Sequence, residues 1–232
     1  MTRALGIDTT SDYMSLALHV DGAAVDSRYE LRSARMNAVL LPTIGEMLAG
    51  AGLAARDLDV IVVARGPGSF TGTRLGLAVA LTFAQVLGTP LIGVDTLQVL
   101  AAQTDSSVTG TFHALLHCTR SEVYHAPFRW SSDRLPESQQ PMALEHIARI
   151  PELVGDAPVV LRRHDGLRPL RPELQAALDG LRRALLRYAE PDALRLLAVG
   201  LPRYEAQPQG PFDAVQPLYL KSEAFRRWEG RP

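Results

Sequence analysis

The sequence predicts an α/β protein of two lobes, and three observations carry that expectation. Short β-patterned runs joined by turn residues open the chain. The hydrophobic period then switches from two to 3.6 residues. After residue 104 a strand pair begins again.

In order, "ALGID" has the pattern of a short buried strand, and "YMSLALHV" alternates as its antiparallel partner, with Thr9 to Asp12 as the turn. The Asp21-Gly22 pair marks a tight hairpin into a third strand, "AAVDSRYEL". Met36, Leu40, Ile44, Met47, Leu48 and Ala51 then fall at helical spacing, and Gly52 stops the run. "LDVIVVA" reads as a fully apolar strand. A loop rich in glycine follows, then a helix over Thr73 to Leu87, the strand "PLIGV" and a short helix from Leu97 to Gln103. The polar stretch "QTDSSVTG" places a lobe boundary, giving a first lobe over 1–104 and a second over 105–232. "TFHALLHC" and "EVYHAPFRW" form the second strand pair. Beyond Trp130 the pattern weakens: "SSDRLPESQQP" is loop-like, "PVVL" is strand-like, and Pro172 to Leu197 predicts one or two helices broken at Pro191. The tail "PLYLKSEAFRRW" predicts a strand end passing into a short helix.

With 232 residues the chain can bury one large core or two smaller ones. Its net charge of −1 excludes a molecule that binds nucleic acid over its whole surface. Residues 1–161 carry 11 basic and 16 acidic side chains, and 162–232 carry 13 and 9. That basic bias suits either a solvated Arg-rich helical face or contact with RNA or an acidic partner. A single cysteine, Cys118, excludes an internal disulfide and suits a reducing compartment. The polar N-terminus does not have the pattern of a signal peptide. The uncharged run from Leu75 to Val94 is broken at Gly88-Thr89-Pro90 after about 14 residues, short of the roughly 20 a spanning helix needs. A cytosolic protein without a membrane partner is expected.

The loop "ARGPGSFTGTRLGLAVA" raises the question of phosphate binding. A Walker loop requires G-x4-G-K-[ST], but Gly68 and Gly72 have the wrong spacing and Thr73-Arg74 stand where Lys-Ser would be. In a dinucleotide loop Thr71 would occupy the third glycine's place. The remaining reading is a helix N-terminus capped by Ser69 or Thr71. His113 and His117 have i, i+4 spacing, but on a strand they stand roughly 13 Å apart, too far to share one ion. No metal site and no cofactor are expected. Cys118 reads as a small buried apolar residue, since the adjacent His117 would point to the opposite face. Asp8, beside Thr9 and Thr10, suits either a hydrated magnesium ion or the capping of turn amides.

The helix from Thr73 to Leu87 is apolar almost all round. Gly72, Gly76, Ala80 and Ala84 make a small-residue stripe beside a bulky one, so the helix is either sandwiched or meets another subunit.

"GIDTTSDYMSLAL" together with "ARGPGSFTGTRLGLAVALTFAQVLGTPLIGVDTL" resembles the TsaB (YeaZ) family of accessory subunits for threonylcarbamoyladenosine synthesis on tRNA. "SEVYHAPF" and "QPLYLK" resemble weaker signatures of that family. The resemblance implies a two-lobed actin-like ATPase (ASKHA) fold with a reduced second lobe and a helical tail. It also implies a TsaD-like catalytic partner, a TsaE-like ATPase in the same complex, contact with tRNA only through that complex, and a homodimer when unpartnered. The catalytic relative carries a His-x-x-x-His metal motif where this chain reads "TLQVL", Thr96 to Leu100. The second hairpin turns at "HCTRSE" without a glycine, and no Gly-Gly pair occurs in the chain. Asp8, Thr9 and Thr10 therefore read as a vestigial nucleotide loop, with no catalytic residue expected. The family joins its subunits through first-lobe helices, here Met36–Gly50 and Thr73–Leu87. Met36, Leu40, Ile44, Gly72, Gly76, Leu77, Ala80 and Ala84 are the expected partner-binding residues. A free-standing small-molecule kinase of the same fold is the alternative. A protease is a third reading, for which no Ser-His-Asp or Cys-His arrangement can be assembled.

Overall fold

A computed structural model describes residues 2–31, 36–130, 135–162, 172–181, 186–190, 192–207 and 215–218. The chain divides into two compact units, Met1–Val99 with Pro191–Pro217 and Leu100–Glu190 with Leu218–Pro232.

In the first unit, β1 (Arg3–Asp8), β2 (Tyr13–Val20) and β3 (Ala23–Leu31) form a meander, as their alternation predicts. Asp21 and Gly22 turn the second hairpin with φ of 52° and 85°, the left-handed backbone that an Asp-Gly pair tolerates. Then follow α1 (Met36–Gly50), β4 (Val60–Ala64), α2 (Phe70–Leu87), β5 (Leu91–Val94) and α3 (Thr96–Ala101). The sheet order is β3-β2-β1-β4-β5, with β1, β4 and β5 parallel. Every residue of β4 is buried, as a central parallel strand covered on both faces requires.

One face of this sheet carries α1 and α2. Leu5, Ile7, Leu16, Leu18, Ile61 and Val63 pack there with Leu40, Ile44, Met47, Leu77 and Ala80. The other face is covered by α6 (Ala193–Ala206), which lies across β1, β2, β4 and β5. Glycines permit that approach: a Cβ on Gly200 would meet Val62 Cγ1 at 2.4 Å, and one on Gly6 would meet the Ala193 carbonyl at 2.9 Å. Ser15 Oγ accepts the Ala193 N–H at 2.9 Å, and the Asp192 carboxylate caps α6 by accepting the Arg195 N–H at 2.7 Å. The sequence places 105–232 together in a second lobe; instead α6 belongs to the first unit, because its apolar side completes that unit's core.

The second unit repeats the plan. Its elements are β6 (Thr111–His117), β7 (Glu122–Trp130), β8 (Pro136–Ser138), β9 (Ala143–His146), α4 (Ile150–Val154), β10 (Val159–Arg162), α5 (Pro172–Asp179) and β11 (Leu186–Ala189). The order is β11-β10-β6-β7-β8, with β9 also on β7, and β6, β10 and β11 are parallel. With β9 set aside, the second sheet has the order of the first, 3-2-1-4-5 from each unit's first strand, the repeat expected of a two-lobed actin-like fold. Leu115, Val123 and Leu161 pack under α4 and α5 with Ile150, Val154, Leu174 and Leu178.

The weak-pattern region differs from expectation. "SSDRLPESQQP", expected as loop, contains β8, and the span expected to be helical from Pro172 to Leu197 contains β11. Three- and four-residue strands are too short to show a period. The expected tail helix falls largely in residues 219–232, outside the described residues.

Candidate functional site

The loop after β4 begins with a cis Gly66–Pro67 bond and ends at Ser69, whose hydroxyl caps α2 by accepting the Gly72 N–H at 3.3 Å. Of the two expected cap residues, Ser69 is the one used. α2 therefore starts at Phe70 and runs 18 residues, long and apolar enough by length and composition to cross a bilayer. One side of it packs on its own sheet.

The same loop closes over the β1–β2 turn. Thr10 donates its N–H and its hydroxyl to Asp8 Oδ1, at 2.9 and 2.7 Å. Thr9 donates its hydroxyl to the Gly72 carbonyl at 2.7 Å, and Thr96 donates to Thr10 Oγ1 at 3.3 Å. The Thr10 carbonyl accepts the Ser69 N–H at 2.7 Å, and Gly66 O accepts the Thr96 N–H at 2.9 Å. Gly68 is required by this closure, since a Cβ there would stand 2.3 Å from the Thr10 carbonyl oxygen. Asp8, Thr9 and Thr10 are each 1% exposed. Through Oδ1 the Asp8 carboxylate caps one turn amide, that of Thr10. The Thr9 and Thr10 hydroxyls and the Thr10 amide, donors that an open hairpin could aim at a phosphate, bond here to the protein itself. Among the described residues no group of three His, Cys, Asp or Glu side chains could hold a metal ion.

The small-residue stripe of α2 faces inward. A Cβ on Gly76 would meet Thr9 Oγ1 at 2.3 Å and Ile7 Cγ2 at 3.6 Å, and Ala80 has no exposed surface. Met36, Leu40, Ile44, Gly72 and Leu77 are buried in the same core, and Ala84 packs partly buried against it. These eight residues thus seat the helices on their own sheet instead of forming a surface. A helix apolar on all sides hides which face is inward until the position of Ile7 and Thr9 is known. The outward faces carry other residues: Val39 and Leu41 on α1, and Phe70, Arg74, Ala78 and Val86 on α2. Val86 is 76% exposed, and the Arg74 guanidinium lies 3.7 Å over the Phe70 ring. Glu46 and Arg74 are the single charged residues of α1 and α2. Such a low-charge outer face was detectable from the composition of the helices, although its members were not.

The other sequence candidates separate. His113 and His117 both lie on β6, and His113 instead meets His125, with Nδ1 and Nε2 2.7 Å apart and the rings stacked at 5.0 Å. Burial, and then the neighbouring His125, lower the His113 pKa to about 4; burial lowers that of His125. The pairing was missed because it is diagonal across β6 and β7, where His125 stands opposite Leu115. Cys118 is half-buried in the turn, not a core residue, and its N–H donates to the Glu122 carbonyl at 3.0 Å. A cavity of about 440 Å³ between β2–β3 and the start of α6 is lined by Ser15, Ser27, Tyr29, Asp192 and Arg195 among others. Burial raises the Asp192 pKa, opposed by the Arg195 amide and charge and by the Leu194 amide at the start of the helix that this carboxyl caps.

A family model described as TsaD, tRNA N6-adenosine threonylcarbamoyltransferase, matches residues 30–159. The chain is 34% identical over 129 residues to the tRNA threonylcarbamoyladenosine biosynthesis protein TsaB of Escherichia coli, 55% of each chain. It is 28% identical over 164 residues to the Bacillus subtilis TsaB, 69% of this chain and 70% of that one. The chain thus spans about half the length of the first of these relatives. The structure of YeaZ from Pseudomonas aeruginosa superposes with a TM-score of 0.77 at 24% identity, over 95% of this chain and 100% of that one. That likeness shows the fold. A family model covering more than half of the residues, joined by relatives named TsaB, makes this chain a member of the TsaB (YeaZ) family.

Proposed function

We propose that this chain is a non-catalytic accessory subunit in threonylcarbamoyladenosine synthesis on tRNA, working in the cytoplasm. It binds a TsaD-type catalytic subunit through the outward faces of α1 and α2, beside a TsaE-like ATPase, and meets tRNA only through the complex. The observation that carries this reading is the closed β1–β2 turn, where Thr10 bonds to Asp8 and the Thr9 hydroxyl to the Gly72 carbonyl, all three turn residues being buried. A catalytic member of this fold needs that turn open to phosphate. The exposed, nearly uncharged sides of α1 and α2 supply a surface that gains by being covered.

A reconstituted modification assay tests it. Omitting the chain abolishes threonylcarbamoyladenosine formation, while the isolated chain hydrolyses no ATP above background. ATP hydrolysis that disappears in Asp8→Ala overturns the reading and makes the chain a kinase-like enzyme.

A further inference from the structure

The groove of about 440 Å³ beside α6 lies wholly within the first unit, on the sheet face away from α1 and α2. Its floor is polar. Tyr29 stands opposite Ser15 in the β2–β3 register and Ser27 opposite Ala17, so Ser15, Ser27 and Tyr29 share one face. The first turns of α6 form the wall, through Asp192, Leu194, Arg195 and Ala198.

The amides that open α6 are already used. Ser15 Oγ accepts from Ala193, and the Asp192 carboxylate accepts from Leu194 and Arg195. Side chains are therefore what the groove presents. Ser15 is 4% exposed and accepts through Oγ, so its O–H is left to donate, with no acceptor among the described residues. The two amide bonds of Asp192 use about half of a carboxylate's acceptor positions. Burial pushes its pKa up, the mark of a negative charge short of water and of a full counter-charge. The Arg195 guanidinium acts on that carboxylate by charge, yet makes no ion pair or hydrogen bond among the described residues. Arg28, also on the groove, is already paired with Asp26 at 3.0 Å. One carboxylate and one guanidinium are thus available to a ligand.

We propose that this groove binds a free α-amino acid, whose ammonium meets Asp192 and whose carboxylate meets Arg195 and the Ser15 hydroxyl. A nucleotide or other polyanion calls for a surplus of positive charge that the groove does not have, and a polyamine for a surplus of negative charge. A zwitterion carries one of each, joined through a single carbon, and gains a charge-assisted bond at both ends. The Tyr29 ring, held by its stack on Tyr13 at 4.5 Å, and Leu194 and Ala198 give the ligand's side chain an apolar seat that favours an aliphatic one. Because the groove and the α1–α2 surface lie on opposite faces of the sheet, the proposal stands whether or not those helices bind a catalytic subunit.

Calorimetric titration of the full chain with L-leucine tests it. Saturable binding is expected, with isoamylamine and isocaproate, which each lack one of the two charges, weaker by at least about tenfold. Arg195→Gln and Asp192→Asn should each weaken leucine by at least about tenfold. Asparagine also caps helices, and position 195 is exposed, so both variants should fold, which circular dichroism checks. If Asp192→Asn loses stability, Arg195→Gln decides alone. No saturable leucine binding up to about 10 mM overturns the proposal. So does equal binding of either single-charge analogue, an unchanged affinity in folded Arg195→Gln, or tighter binding of AMP than of leucine.

Discussion

The two units build the same hairpin and finish it differently. In the first, the β1–β2 turn is buried: the Thr10 amide and hydroxyl donate to Asp8, the Thr9 hydroxyl donates to Gly72, and Thr10 Oγ1 accepts from Thr96, under the loop that starts α2. In the second, Glu122 closes the β6–β7 turn: its carbonyl accepts the Cys118 and Thr119 N–H groups, and its carboxylate accepts the Thr119 hydroxyl at 2.8 Å, while the Ser121 carbonyl accepts the Ile147 N–H at 2.8 Å. Arg120 at its tip has a side chain 78% exposed. One plan therefore gives a turn locked into a core and a turn closed locally at the surface. The difference decides how much stability each turn holds.

The largest expected effect lies under the locked turn. Ala80→Arg places a charge between α2 and its own sheet, where Ala80 is fully buried, and should destabilise the first unit by about 3–5 kcal/mol. Ala78→Arg, two residues away on the outer side, should leave melting within about 0.5 kcal/mol of the parent. Equal melting of the two variants would break the assignment of inner and outer faces.

Next comes the turn itself. Thr10→Val removes two of the hydroxyl's bonds beside a buried carboxylate and should cost about 1.5–3 kcal/mol in denaturant unfolding. Thr119→Val, in the surface turn, should cost less than about 1 kcal/mol. A reversed order would contradict the contrast between the hairpins.

The second unit has its own sensitive point in the His113–His125 pair. Both pKa values are lowered by burial, His113 to about 4, so the unfolded chain binds more protons below its ordinary value of 6.5. Stability is fully present above about pH 6.5 and falls as the pH drops toward 4, by up to about 1.4 kcal/mol per pH unit for each histidine. Melting curves between pH 7 and 4.5 check the slope, and a His113→Gln, His125→Gln variant should flatten it. The smallest effect belongs to Arg120→Ala. Its exposed pair with Glu173, at 3.9 Å, should be worth no more than about 0.5 kcal/mol by thermal melting.

The uneven legibility of the chain follows the same division. Long alternating strands and the Asp21-Gly22 turn announce the first meander, and Met36 to Leu48 announce α1, because those patterns repeat over several turns or pairs. β8, β9 and β11 have three or four residues each, so no period exists to read. The assignment of α6 to the first unit depends on Gly6 and Gly200 meeting helix and strand far apart in the chain, which local pattern does not encode. The candidate site shows the limit most sharply. The segments α1 and α2 are legible in the sequence, but which of their faces points inward is not, since Gly76 fits both a neighbouring subunit and Thr9. His113 and His125 needed the register of β6 against β7 before they could be paired.

The central claim is that the outer sides of α1 and α2 bind the catalytic subunit while their inner sides only hold the fold. Its most direct measurement is the affinity of a TsaD-type subunit for Leu41→Glu and Val86→Glu variants, taken beside their melting temperatures. The account predicts parental melting, because both side chains are at least half exposed, with binding weakened at least tenfold and threonylcarbamoyladenosine formation reduced with it. Full binding by both folded variants would contradict it.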